Sequence, residues 1–369
     1  MRYMRSHELY MNRCIELAKQ ALGSVAPNPM VGAVIVCRDK IIGEGFHYRF
    51  GGDHAEVNAI QSVRDKTLLK DSVLFVNLEP CSHKGKTPPC AELIVKNKIP
   101  KVIIGTPDPN PLVSGKGIRH LRANGVEVKT GINEDLCIEL NKRFFTYHLL
   151  MRPYVILKWA QTKDGFIDII RKPGQPVAPN WISNELSRAL VHKWRSEEQA
   201  IMIGTNTVKL DDPMLNTREW SGKNPVRIIL DRHLSLGDEP KIFKSKIDTL
   251  IINEKKSYQA ENFEYIQLKF TEHLIPEIMR ELLKRNIQSV IVEGGKMLIE
   301  SIINQNMWDE ARIFVGNKEF HRGIAAPKLK GIKKIQTTLE NDQLMILRNY
   351  DNYMPAVNRF LQNVPVING

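Results

Sequence analysis

The apolar positions of this chain fall into short runs of two periods, and the two alternate. Residues 7–22 carry Leu9, Cys14, Ile15, Leu17, Ala18, Ala21 and Leu22 near helical spacing, and Gly23 stops the run. VGAVIVCR (31–38) is a continuous apolar run of strand length, and residues 41–47 read as its hairpin partner after the Arg38-Asp39-Lys40 turn. HAEVNAIQSVRD (54–65), CAELIVKNKI (90–99), GIRHLRANG (117–125) and residues 134–150 read as helices. Between them SVLFVNLEP (72–80), KVIIGTPDP (101–109) and VEVKTG (126–131) read as strands. Such alternation predicts an α/β class, with helices layered on a mostly parallel sheet.

The period changes at Met151-Arg152-Pro153, which places a domain boundary at about 147–153. Strand patterns restart with YVILKWA (154–160) and recur at 199–208, 225–232, 248–254 and 311–317. Residues 185–198 and 275–286 are helical, and SVIVEGGKMLIESIINQ (289–305) reads as strand, Gly-Gly turn and helix. The last residues, 351–369, have weak periodicity and read as a tail. The expected organisation is therefore a domain over 1–148, a second over 153–350 and a C-terminal tail, and no repeat relates the halves. A length of 369 residues agrees, since single domains usually hold about 100–200.

Composition narrows the classes. With 42% hydrophobic and 25% charged residues the chain is globular, and no apolar run reaches the roughly 18 residues that span a bilayer. The net charge of +12 is scattered, which leaves a solvated basic surface and an anionic ligand equally open. Five cysteines and a charged N-terminal stretch without an apolar core argue against a disulfide framework and an export signal. The cytoplasm is the expected compartment, with thiols free to bind metal.

Three residues make a candidate metal set: His54, Cys81 and Cys90. Catalytic zinc takes three nitrogen or sulfur ligands and keeps a fourth position open for water. Cys90 follows Pro88-Pro89 at a helix start, where the partial positive charge favours a thiolate. Glu56 lies two residues from His54, and residues so spaced do not share a helix face. The pair must therefore sit at the helix mouth, one on the metal and the other beside the water as a proton shuttle. Zinc deaminases divide the labour this way, with H-x-E followed by P-C-x-x-C. Here the second cysteine comes nine positions after the first rather than three. Singly, His54, Cys81 and Cys90 read as ordinary structural residues; only the ordered set carries the signal. Cys14, Cys37 and Cys137 lie on apolar stretches and read as core.

The ordered segments PNPMVGAVIV, HAE, LEPCSHKGKTPPC and DPNPLVSGKG resemble the deaminase domain of the bifunctional riboflavin-biosynthesis deaminase/reductases, over about residues 7–148. The resemblance implies a cytidine-deaminase-like three-layer α/β/α domain. It implies hydrolytic loss of the 2-amino group of 2,5-diamino-6-ribosylamino-4(3H)-pyrimidinone 5′-phosphate as ammonia. It also implies substrate contacts at Asn28, His83 and Lys86.

LKWAQTKDG (157–165), NWIS (180–183), the stretch 194–218 and VEGGK (292–296) resemble the reductase domain of the same family, over about residues 153–320. This implies a dihydrofolate-reductase-like α/β fold and NADPH-dependent reduction of the ribosyl side chain to ribityl. It implies cofactor contacts at Ala160, Trp181, Thr207 and Asp211, and a substrate contact at Leu215, while Gly294-Gly295, between a strand and a helix, would let backbone amides approach the cofactor pyrophosphate. Arg195 and Arg218 can supply bidentate phosphate contacts. Lys158 and Glu293 are the ionisable candidates near the reacting carbon, Lys158 to polarise it and Glu293 to orient ribosyl hydroxyls. Ser183 is positioned to cap the next helix. The family's substrate serine is Pro179 here, with Asn180 or a backbone group as its substitute. A homo-oligomer, dimer or tetramer, is expected, with no nucleic-acid or membrane partner.

Three rivals stay in view: a structural zinc site, which would use four protein ligands; a transfer-RNA adenosine deaminase, which leaves the second half unexplained; and a zinc-stabilised RNA-binding protein, which has no use for Glu56.

Overall fold

The computed structural model describes residues 2–82, 88–171 and 180–364, with side chains throughout except at 2–5 and 332–334. It packs as two units, Arg152–Met354 and the remainder, Met1–Met151 with Pro355–Gly369. Each is built as helices on both faces of a main sheet, to which the second unit adds a separate two-stranded one.

In the first unit the order is α1 (Arg2–Lys19), β1 (Gly32–Cys37), β2 (Lys40–Phe46), α2 (Ala55–Ser62), β3 (Val73–Leu78), α3 (Cys90–Lys96), β4 (Lys101–Thr106), α4 (Lys116–Ala123), β5 (Glu127–Lys129), α5 (Glu134–Leu140) and α6 (Lys142–Leu150). The sheet order is β2-β1-β3-β4-β5. Ala33 and Ile35 face α2, α3 and α4 through Ala59, Ile94 and Leu121, while Val34 and Phe75 face α1 through Met11 and Cys14. That double burial explains why β1 is apolar at every position.

Two expectations need correction here. The sheet is mixed: β1 runs antiparallel to β2 and β3, and only β3, β4 and β5 are parallel. The short connection from Cys37 to Lys40 is a hairpin, which forces that reversal. The helix expected over 134–150 is two helices broken at Asn141. Asn141 is buried and spends its side chain on Met30, accepting from its N–H (2.8 Å) and donating to its carbonyl (2.9 Å). Asn77 makes the matching pair on the same strap, to Gly32 N–H (2.7 Å) and Met30 O (3.1 Å).

In the second unit the order is β6 (Tyr154–Gln161), β7 (Phe166–Asp168), α7 (Glu185–Glu197), β8 (Ala200–Gly204), α8 (Thr205–Asp211), β9 (Val226–Leu230), β10 (Thr249–Asn253), β11 (Tyr258–Ala260), β12 (Phe263–Gln267), α9 (Leu274–Lys284), β13 (Ser289–Val292), α10 (Lys296–Asn304), β14 (Glu310–Val315), β15 (Ile324–Ala325), β16 (Ile332–Leu339) and β17 (Asp342–Arg348). The main sheet runs β11-β12-β10-β9-β8-β13-β6-β14-β17-β16, and every pairing from β12 to β14 is parallel. Here the mostly parallel expectation holds. The cap of α7 is Asn184, whose side chain accepts from Ser187 N–H, and not Ser183.

The tail expected over 351–369 is also corrected. Residues Tyr350–Asn363 form α11, and Tyr353, Val357 and Val364 are buried. With Phe360 they recur at steps of four and three, a one-sided stripe that burial stabilises. Residues 365–369 lie outside the described chain.

The start of the second unit is pinned by a buried pair. Arg152 donates to both oxygens of Asp309 (2.6 and 2.8 Å), and Asp309 also accepts from Val155 N–H (2.8 Å). Asp309→Ala strands a buried guanidinium and a backbone N–H, and is expected to cost about 3–5 kcal/mol. Urea denaturation followed by tryptophan fluorescence checks this. Trp159, Trp181, Trp194, Trp220 and Trp308 are all in this unit, so the signal reports it alone. A loss below about 1 kcal/mol, the range of exposed pairs, would contradict the assigned role.

Candidate functional sites

The first site forms where the carboxyl end of β3 meets the openings of α2 and α3. Glu79, just past β3, is buried, and its two oxygens accept from four backbone N–H groups: Gly117 (2.9 Å) and Ile118 (3.2 Å), Gly115 (2.9 Å) and Asp108 (3.2 Å). Burial raises its pKa while those donors oppose the rise. This clamp ties the 108–118 loop to β3 and fixes the exit of Pro80 and Cys81. Gly117 has to be glycine, because a Cβ there would come within 1.9 Å of Pro80 O.

His54 is the extended residue immediately before α2, and Glu56 is buried in its first turn. The helix mouth therefore presents both, as the spacing of two requires. Nδ1 of His54 lies 3.6 Å from Cys81 Sγ and 3.3 Å from Cys90 Sγ. One ligand atom from each of the three residues lies within 4.8 Å of the others. Two thiols and an imidazole, with no fourth protein ligand among the described residues, suit a zinc site that keeps a position open.

The protons are arranged differently from the expectation based on the helix start. The α3 N-terminus serves Cys81: Cys90 N–H donates to Cys81 Sγ (3.4 Å). The Cys81 thiol is pushed down to about 4, first by the hydrogen bond from the Cys90 thiol and then, against burial, by His54. The Cys90 thiol moves up, because it donates to Cys81 and is buried. His54 is pushed up to about 9 by its bond to Cys81, against burial. Burial raises Glu56, with His54 pulling the other way.

Asn28 lies beside this cluster, with Nδ2 3.0 Å from His47 Nε2. His47 is a residue that the sequence patterns do not single out. It is buried, burial lowers its pKa, and its ring meets the His54 ring edge-on at 5.4 Å. His83 and Lys86 lie outside the described residues.

The second site gathers at the carboxyl ends of parallel strands, where ligands of open α/β sheets bind. Glu293 follows β13, Lys158 sits late on β6 and Arg195 reaches in from α7. Arg195 donates Nε–H and Nη2–H to the two oxygens of Glu293, both at 2.8 Å, and Lys158 Nζ lies 3.7 Å from Glu293 Oε2. Burial alone would raise Glu293, yet Arg195 and Lys158 hold it at about 2. Burial lowers Lys158, with Glu293 opposing and Arg195 adding to the fall. The Nε/Nη2 edge of the Arg195 guanidinium is thus engaged by Glu293. Arg195 Nη1 donates to Asn216 O (3.2 Å), as does His192 Nδ1 (2.8 Å).

The Gly-Gly turn packs on α8. A Cβ at Gly294 would come within 2.6 Å of Thr207 Oγ1, and Gly295 holds φ at +78°. The shape fits a turn whose backbone approaches a cofactor closely. Leu215 is buried with φ of +51°, and Arg218 is exposed, donating to Asn216 Oδ1 (3.1 Å) and lying 3.6 Å from Glu219. Ala160 is half-buried. Asp211 faces Arg171 at 3.5 Å and is pushed up to about 6 by burial and by Asp168. Trp181 is exposed under the Arg188 guanidinium, 4.9 Å from its ring. Asn180 donates to Asp168 (2.6 Å), and Pro179 lies outside the described residues. The geometry thus unites Lys158, Arg195 and Glu293, and unites Thr207 with Gly294, whereas Trp181 and Asp211 are held by neighbours of their own.

Comparison with known proteins follows the same division. The cytidine and deoxycytidylate deaminase zinc-binding region matches residues 4–106, and the RibD C-terminal domain matches 153–331. The riboflavin biosynthesis protein RibD of Synechocystis is 38% identical over 330 residues, 88% of each chain. That of Aquifex aeolicus is 38% identical over 336 residues, 90% of this chain and 92% of the relative. A diaminohydroxyphosphoribosylaminopyrimidine deaminase/5-amino-6-(5-phosphoribosylamino)uracil reductase from Thermotoga maritima superposes with a TM-score of 0.84 at 37% identity, covering 94% of this chain and 99% of that one. The fold is cytidine-deaminase-like in the first unit and dihydrofolate-reductase-like in the second. With its zinc-type ligand set in the one and its reductase architecture in the other, the chain belongs to the RibD family of bifunctional riboflavin-pathway deaminase/reductases.

Proposed function

We propose that residues 1–148 deaminate 2,5-diamino-6-ribosylamino-4(3H)-pyrimidinone 5′-phosphate and that residues 153–350 reduce the ribosyl side chain of the product to ribityl. The observation that carries the reading is the juxtaposition of His54, Cys81 and Cys90 with a buried Glu56 at one helix mouth. When bound, zinc supplies a Lewis acid that acidifies water, and NADPH supplies the reducing equivalent. His54, Cys81 and Cys90 hold the metal. Glu56, made more basic by burial, would as a carboxylate take a proton from the attacking water and, once protonated, deliver it to the leaving amine. Asn28, His83 and Lys86 bind the pyrimidine and its phosphate.

In the reductase, Lys158 polarises the carbonyl or imine at the reacting carbon. Glu293, kept ionised by Arg195 and Lys158, accepts hydrogen bonds from ribosyl hydroxyls. Arg195 thereby acts on substrate through Glu293, and Arg218 and Leu215 contact substrate directly. Gly294 and Gly295 admit backbone N–H groups to the cofactor pyrophosphate, with Thr207, Asp211, Ala160 and Trp181 around the rest. No helix among the described residues is long and apolar enough to cross a membrane. A cytoplasmic homo-oligomer completes the proposal; light scattering tests its size.

Glu56→Gln is expected to keep zinc and lose roughly 10²–10⁴-fold in ammonia release; retained activity at full zinc content would remove Glu56 from the chemistry. Cys90→Ser is expected to lose most of the metal, measured by atomic absorption, and full retention would take it out of the ligand set. NADPH oxidation is expected to require the deaminated phosphate product and to fall sharply in Lys158→Met. Preference for NADH, or no turnover at all, would sink the reductase assignment, and oxidation driven by the diamino substrate in Glu56→Gln would overturn the order of the two steps.

A further inference from the structure

One polar chain beside the first site has a direction that the proposed chemistry leaves unused. His47 Nδ1 lies 2.9 Å from Asp53 O. A carbonyl only accepts, so Nδ1 carries the proton. Nε2 therefore carries the lone pair, and the group 3.0 Å from it is Asn28 Nδ2, which only donates. The amide of Asn28 is thereby oriented: its N–H faces His47 and its Oδ1 points elsewhere. Among the described residues Oδ1 has no protein partner.

The surroundings keep this arrangement from turning. Asn58 Nδ2 donates to Phe46 O (2.8 Å) and to Asp53 O (3.3 Å), tying both flanks of His47. The strap that carries Asn28 is fixed at Met30 by Asn77 and Asn141. His47 is 3% exposed, so water does not compete for its ring, while Asn28 is only half-buried. The edge-on contact of His47 with His54 puts the oriented amide next to the metal-ligand cluster.

We infer that His47 is a positioning residue that sets the hydrogen-bonding polarity of Asn28, so that the amide offers substrate an acceptor and selects a pyrimidinone carrying an N–H at that point. A ring that presents only a lone pair there meets oxygen against lone pair and is rejected. The inference rests on the reading of Asn28 as a substrate contact.

A double-mutant cycle in the full-length zinc-loaded protein tests it, with kcat and KM of ammonia release, zinc content, and NADPH oxidation on pre-deaminated substrate measured for each variant. Asn28→Ala and His47→Leu are each expected to lower kcat/KM about tenfold, mainly through KM, with zinc and NADPH oxidation unchanged. The double variant is expected to be no worse than the poorer single one, because both remove one contact. His47→Gln, whose Oε1 can accept from Asn28, is expected to recover most of the loss. Losses that multiply in the double variant, or zinc lost from His47→Leu, would overturn the inference while leaving Asn28 as a substrate contact. An Asn28→Ala variant with unchanged kcat/KM would overturn the substrate-contact reading and the inference together.

Discussion

A carboxylate removed from water must be met by donors or cations, and both sites hang on one such group at the carboxyl end of a strand. In the first unit it is Glu79, which draws in four backbone N–H groups and so folds the 108–118 loop against β3. In the second it is Glu293, which draws Arg195 across from α7 and Lys158 from β6. Neither group could stay buried alone. Satisfying it fixes the position of everything nearby: Cys81 two residues after Glu79, and the Gly294-Gly295 turn directly after Glu293.

That constraint explains what the sequence discloses and what it hides. The metal set was legible because its ligands sit at element ends that local patterns mark: an HAE at a helix opening, a cysteine after a strand, another after Pro-Pro. The role of Glu79 was not, although it lies inside the quoted LEPC segment, because its four partners are backbone groups 29 to 39 residues away and carry no side-chain signature. His47 was hidden for the same reason, since a lone histidine declares its partners only when Asp53 O and Asn28 are brought to it. The break at Asn141 follows from a long-range demand, two hydrogen bonds to Met30 that no continuous helix would have delivered. The helix α11 is a different case. Its stripe of Tyr353, Val357, Phe360 and Val364 was present in the sequence, but interrupted by Pro355 and polar neighbours it read as weak.

The thiolate shows how far local electrostatics can be trusted. The opening of α3 does stabilise a sulfur, as its partial charge requires. The sulfur it stabilises belongs to Cys81, because the first free N–H of the helix points across the loop rather than at its own side chain. Spacing predicted that a helix start would serve the metal set; only the loop geometry decides which ligand receives it.

Charge economy separates the two units further. The chain carries +12, yet at the reductase site the two deepest cations are committed to Glu293. Burial lowers the pKa of Lys158 while Glu293 opposes the fall, and the Nε/Nη2 edge of Arg195 is engaged by the carboxylate. Arg218, by contrast, is exposed, and Glu219 lies 3.6 Å from it. A buried cation keeps its charge only beside a carboxylate, whereas an exposed one keeps it in water, and the two arginines differ in this way. That difference explains why Arg195, the more conspicuous arginine in the sequence, is the less available of the two.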